Sequence, residues 1–235
     1  MIIDIVKSNF KIIIFGFVFT FFSSIGQSFF VGLFNTNIRD ELNISHGEFG
    51  SIYGIATLCS SIVLIWLGKK IDDVKLLNYS LLVTIFLFIS ALFFSFVENL
   101  FFLLIGIFFL RLSGQGLMAH TASTAISRYF ERRRGKALSY IWLGMSLGEF
   151  LLPVLVVYLL SFIYWRDLWV FISILNLGSL YSIHAIFFPS LSPDFMNLAL
   201  VAKAIPVSSL NNFGATCLEV YSFIQLKTFL GLLFL

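Results

Sequence analysis

Apolar residues in this chain come in long unbroken runs, not at the two-residue interval of a half-buried strand. Crossing a hydrocarbon core takes about 20 residues of helix. Six runs meet that requirement, at 10–34, 49–67, 76–96, 101–127, 137–162 and 169–188. A helix apolar on every side is buried in protein or in lipid. Six in succession with short connections predict antiparallel neighbours in a membrane. The expected fold is an all-α membrane protein, with residues 1–188 forming one bundle of six transmembrane helices. The character changes over 189–235, where Pro189, Pro193 and Pro206 punctuate a stretch whose polar residues follow no helical stripe. The apolar segment 220–235 is short for a seventh span. This tail is expected to be irregular: truncated, fragmentary or frame-altered, or else naturally short.

Composition supports the membrane class. Hydrophobic residues make up 59 % of the chain, Phe alone contributes 30, and charged residues are 11 %, against about 25 % in soluble domains. The net charge of +3 is small, and basic residues gather at helix ends instead of forming a basic face, so nucleic-acid binding is excluded. Cys59 and Cys217 are too few and too far apart for a disulfide framework or a metal site. The first apolar run leads into further spans and not into a soluble domain, so it is expected to be an uncleaved first helix.

Lysine and arginine set the orientation, since cytoplasmic loops hold the excess. With the N-terminus inside, one side receives Lys7, Lys11, Lys69, Lys70, Lys75, Arg128, Arg132, Arg133, Arg134 and Lys136, and the other receives Arg39 and Arg166. Both ends of the six-helix unit are therefore expected in the cytoplasm, in a multi-pass protein of the cell (inner) membrane.

Arg111 breaks the apolar run of the fourth span. A charge near the bilayer centre costs about 2.5 kcal/mol or more and marks a pathway or a binding site, unless it only ties helices together. At about 100° per residue, Arg111, Gln115, Met118 and Ala122 share one helix face, and His120 lies opposite. Gly114 and Gly116 allow close helix packing, as do Gly144 and Gly148 on the fifth span. Glu149 follows Gly148, about 18 Å above the cytoplasmic start of that span at 1.5 Å per residue. Arg111 lies at similar depth, so an Arg111–Glu149 ion pair is available and would relieve two desolvation costs. Gln27 on the first span, and Tyr53 with Thr57 on the second, either line a solute cavity or bond a neighbouring helix. His46 and Glu48 are expected to be solvated, and His184 to be buried and hydrogen-bonded. The histidines form no cluster with other catalytic groups, so an enzyme is not expected. No Gly-x-x-x-x-Gly-Lys-Ser/Thr loop is present, so this chain does not itself use ATP.

Three local patterns go beyond the span count. Gly68-Lys69-Lys70-Ile71-Asp72 follows the second span, Arg111-Leu112-Ser113-Gly114-Gln115-Gly116 lies in the fourth, and Arg128-Tyr129-Phe130-Glu131-Arg132-Arg133-Arg134-Gly135-Lys136-Ala137 follows it. Together they resemble the first six helices of a bacterial-type transporter of the major facilitator superfamily, over residues 10–188. The resemblance implies a secondary transporter in which two six-helix bundles rock about a midplane site. Gly68 and Asp72 match the start of the family's Gly-x-x-x-Asp loop, where the aspartate latches one conformation. The family's next residues, Arg and Gly, are absent, so the latch carries over only in part, and an ordinary solvated turn is the other reading. The chain also lacks the Gly-Pro and paired glycines expected near Gly148 in the drug-antiporter form. Its expected partners are the lipid bilayer, a small and possibly anionic solute, and a second six-helix bundle from another copy or a separate product, with no cofactor. The alternative is a non-transporting membrane subunit or an inactive fragment.

Overall fold

The computed structural model describes residues 10–180 and 183. Among these residues every regular element is helical. The helices are α1 (Phe10–Gly32), α2 (Asn35–Leu42), α3 (His46–Lys69), α4 (Leu76–Phe94), α5 (Leu100–Tyr129), α6 (Arg134–Leu160) and α7 (Trp165–Asn176). Five of them, α1 and α3 to α6, are long and apolar enough to cross a membrane. At 12 residues α7 covers only the start of the expected sixth span; residues 181, 182 and 184–188 of that span, His184 among them, lie with the tail outside the described residues.

Two of the helices, α3 and α5, start where a side chain supplies a partner for free backbone N–H groups. Ser45 and Glu48 form a reciprocal capping box at α3, with Glu48 N–H donating to Ser45 Oγ at 3.2 Å and Ser45 N–H donating to Glu48 Oε2 at 2.8 Å. Glu48 is exposed, as expected, and also satisfies a helix end; the helix begins at His46, not at Phe49. The Asn99 side chain accepts the Phe102 N–H at 2.9 Å and starts α5.

α5 is the central helix, packed against α1, α3, α4 and α6, while α7 packs on α4. Small residues let these helices approach. A Cβ on Gly16 would come within 2.6 Å of the Ile141 side chain, and one on Gly144 would meet the Phe17 carbonyl and lie 2.5 Å from Thr20 Oγ1. The Thr20 hydroxyl donates to the Ile141 carbonyl across the same α1–α6 seam. With no hydrophobic drive between helices in lipid, such close packing and interhelical hydrogen bonds carry association. The outer faces of α3 and α6 stay apolar and exposed: Leu58, Ile62 and Trp66 on one, Phe150, Val154 and Val157 on the other.

A polar clasp joins the connections opposite the basic end. Glu41 accepts from Tyr164 Oη at 2.5 Å, Trp165 Nε1 at 2.6 Å, and Arg166 Nε and Nη2 at 3.0 and 2.7 Å. Arg166 Nη1 also donates to the Ser95 carbonyl at 2.9 Å, which ties α2, the end of α4 and the start of α7 together. Burial opposes ionisation of Glu41, but the hydrogen bonds from Tyr164, Arg166 and Trp165 outweigh it and hold the carboxyl below its ordinary value of 4.5. A depressed carboxylate stabilises the fold fully above its unfolded value, and the benefit disappears as pH falls through the folded one. Thermal unfolding of the detergent-purified protein should therefore drop below pH 4.5 more steeply for the native chain than for Glu41→Gln.

Candidate functional site

The site is built on two irregular stretches of backbone that touch inside the bundle. α1 is interrupted: Ser24–Gly26 form a 3₁₀ turn, and Gln27 is extended (φ −80°, ψ 156°) before the helix resumes at Ser28. Facing it, α5 changes to a π-helix over Arg111–Met118, with hydrogen bonds from i to i+5. A Cβ on Gly26 would strike the Leu110 carbonyl and lie 2.6 Å from Gln115 N and 2.8 Å from Gly114 Cα. Gly26 and Gly114 are thus the contact point of the crossing. Irregular backbone at membrane depth is tolerated only where protein buries it or where it lines a cavity.

Arg111 opens the π segment and is 8 % exposed. Its Nη1 donates to the Gly26 carbonyl at 3.3 Å and to Ser28 Oγ at 3.2 Å. The Tyr53 ring of α3 lies under the guanidinium, 5.4 Å from Cζ to ring centre, a cation–π distance. The Tyr53 hydroxyl donates to Ser28 Oγ at 2.9 Å, so Ser28 is the hub between helices α1, α3 and α5. Arg111 Nε, Thr57 Oγ1 and Gln115 Oε1 are buried without a hydrogen-bond partner among the described residues.

Glu149 is elsewhere. Among the described residues the ion pairs are Arg128–Asp72 and Arg166–Glu41, so the expected Arg111–Glu149 pair is not formed. Gly144 and Gly148 face α1, the second with its Cβ direction against Ser24 Oγ. Glu149, one residue on, is turned about 100° from that stripe and is exposed. Gln27, on the α1 break, reaches α6 instead, with Nε2 3.9 Å from Met145 Sδ. The face expected for Arg111 and Gln115 falls on a π segment and not on regular α-helix, and the wider turns leave Gln115 and Gly116 on either side of the position above Arg111. The Cβ direction of Gly116 lies 3.5 Å from the Arg111 carbonyl and 3.0 Å from the Leu64 side chain of α3.

At the basic end, Asp72 pairs with Arg128 of α5, and Arg128 Nη1 donates to the Ile71 carbonyl at 3.3 Å. Both side chains are half or more exposed (Arg128 52 %, Asp72 64 %), so the pair is worth about 1 kcal/mol at most. His120 Nε2 lies 3.1 Å from the Gly68 carbonyl at the end of α3, against the glycine's open face. Sequence reasoning missed Ser28, the α1 break and the π segment. The pairing of weak helix formers in Ser113-Gly114-Gln115-Gly116 was the one local signal. An open apolar groove of about 550 Å³ on α4, lined by residues such as Leu82, Ile85 and Ile89, includes none of these groups.

A buried cation held by a carbonyl, a hydroxyl and an aromatic ring, on the central helix of a bundle of apolar spans, defines a polytopic membrane protein with an internal charged site. The sequence matches the Major Facilitator Superfamily profile over residues 16–231, and the chain belongs to that family of membrane transporters. No curated protein matches the chain.

Proposed function

We propose that the chain is a secondary active transporter, or one bundle of such a transporter, that moves a small anionic solute by alternating access with Arg111 at its site. The observation that carries this is a guanidinium 8 % exposed whose partners among the described residues are one neutral carbonyl, one hydroxyl and the Tyr53 ring, none of them a counter-ion. A charge left without a counter-ion in low dielectric is costly. An arriving carboxylate or inorganic anion would relieve that cost, with Ser28, Tyr53, Thr57 and Gln115 as further polar contacts. Gln27 flanks the site from the α1 break.

Membership of a transporter family and the five apolar helices support a membrane location. The inner membrane, a sixth helix beyond Trp165, and cytoplasmic placement of both ends of the unit remain part of this proposal. Gly68 and Asp72 act in it as the cytoplasmic latch, with Arg128 the partner of Asp72. Gly114, Gly116, Gly144 and Gly148 set the helix approaches. Glu149, exposed midway along an apolar helix, supports a further element over that face of α6, because a carboxylate against lipid is expensive. A second six-helix bundle, from another copy or a separate product, is the partner proposed.

The test is a panel of anions (acetate, lactate, succinate, phosphate, sulfate) added to the purified full chain. One class should raise its unfolding temperature and enter proteoliposomes containing it. A panel without a stabilising anion would remove the anionic reading.

A further inference from the structure

We propose that the π segment Arg111–Met118 is a register switch: loss of the Arg111 tether converts it to α-helix and breaks the contact between His120 and the Gly68 carbonyl. The inference rests on the proposed solute site only for what throws the switch in the transport cycle.

Three observations carry it. Runs of i→i+5 turns are rare and usually short, yet this one spans eight residues between regular α-helix at Leu100–Leu110 and Ala119–Tyr129. It lies against the one break in α1, where Gly26 meets Gly114 backbone to backbone, so two deformable stretches share one crossing. It also concentrates unsatisfied groups: Arg111 Nε and Gln115 Oε1 lie in the segment, and Thr57 Oγ1 lies on the helix packed against it. Each orphan costs about 1–3 kcal/mol. Something must hold the segment in a conformation so poorly paired.

The holding contacts sit at its two ends. Upstream, Arg111 Nη1 is tied to the Gly26 carbonyl and to Ser28 Oγ. Downstream, His120 Nε2 sits on the Gly68 carbonyl, two residues after the segment ends, and Arg128 reaches Ile71 and Asp72 further on. When the guanidinium leaves Gly26 and Ser28, the wide turns lose their upstream anchor. An α turn takes one residue fewer than a π turn. Each residue given back therefore turns the downstream half of α5 by about 100° and shifts it by about 1.5 Å. His120 then cannot stay over Gly68. Packed interfaces switch between discrete arrangements instead of deforming continuously, so the result is a two-state element joining the solute site to the basic end of the bundle.

Zinc can read the downstream contact without any solute. In the full chain carrying Cys59→Ser and Cys217→Ser, the substitution Gly68→Cys places a Cβ 3.4 Å from His120 Nε2. A thiolate there and the imidazole can share one Zn²⁺, at about 2.3 Å for sulfur and about 2.0 Å for nitrogen. The Zn²⁺ concentration that raises the unfolding temperature is measured, with the Gly68 protein as blank. Apparent affinity falls in proportion to the population competent to bind. Arg111→Gln should therefore raise the apparent dissociation constant at least about tenfold, and Ser28→Ala, which removes one of two tethers, about threefold. Zinc affinities within twofold of the Arg111 protein in both variants would overturn the switch. If Arg111→Gln does not fold, Ser28→Ala decides. Because no anion is present, failure here leaves the solute reading standing, and a blank anion panel leaves the zinc result standing.

Discussion

Substituting leucine for Gly26 should prevent α1 and α5 from crossing where they now do, giving a protein that is extracted from membranes only as aggregate. Even the single carbon of Gly26→Ala would press on the Leu110 carbonyl, Gln115 N and Gly114 Cα, the last two at 2.6 and 2.8 Å. These are backbone atoms of the central helix, which cannot rotate away as a side-chain tip can. Overpacking a well-fitted interior costs about 1–3 kcal/mol, occasionally more, and a clash with three backbone atoms belongs at the upper end. Gly54 on α3 is the internal comparison, since a Cβ there meets no atom within 4 Å. Gly54→Ala should be neutral or slightly stabilising, because alanine favours helix over glycine by about 0.8–1.0 kcal/mol. Unfolding temperature in detergent, measured for Gly26→Ala, Gly114→Ala and Gly54→Ala, separates close approach from composition. Equal effects at the three positions would refute it.

Arg111→Gln should abolish anion-dependent stabilisation and uptake, while Arg111→Lys retains a measurable part of both. Removing one member of a buried charge pair costs about 2–5 kcal/mol, a loss of affinity from about thirtyfold to several thousandfold. Lysine keeps the charge but loses the planar fork that reaches the Gly26 carbonyl, Ser28 Oγ and the Tyr53 ring together. A purely structural arginine would give a different result. Both variants would then lower the unfolding temperature without anion, and whatever anion response remained would keep its native affinity.

Five of the six expected spans were legible because each apolar run stands on its own: an all-apolar helix announces itself without knowledge of its neighbours. Arg111 was legible for the same reason, as a charge where the run has no use for one. What escaped depends on contacts distant in sequence. The Glu41 clasp joins residues more than 120 positions apart, and no local pattern in Tyr164-Trp165-Arg166 names its partner. Glu149 shows the difference between depth and direction. Rise per residue placed it correctly midway along α6, but Gly144 and Gly148 had already fixed which side of that helix faces α1, and the residue after Gly148 turns away. The π segment escaped because 100° per residue was applied straight through it. Its wide turns lie against the broken helix opposite, which the sequence of α5 cannot report.

If Arg111 belongs to a solute pathway, its immediate surroundings must meet water, and Ser28 is the exposed group bonded directly to it. In a protein carrying Cys59→Ser and Cys217→Ser, Ser28→Cys should react with a membrane-impermeant thiol reagent added to intact cells or to inverted vesicles. An anion that stabilises the protein should slow that reaction. A thiol at this position that stayed unreactive from both faces of the membrane would place Arg111 in a sealed core and contradict the account.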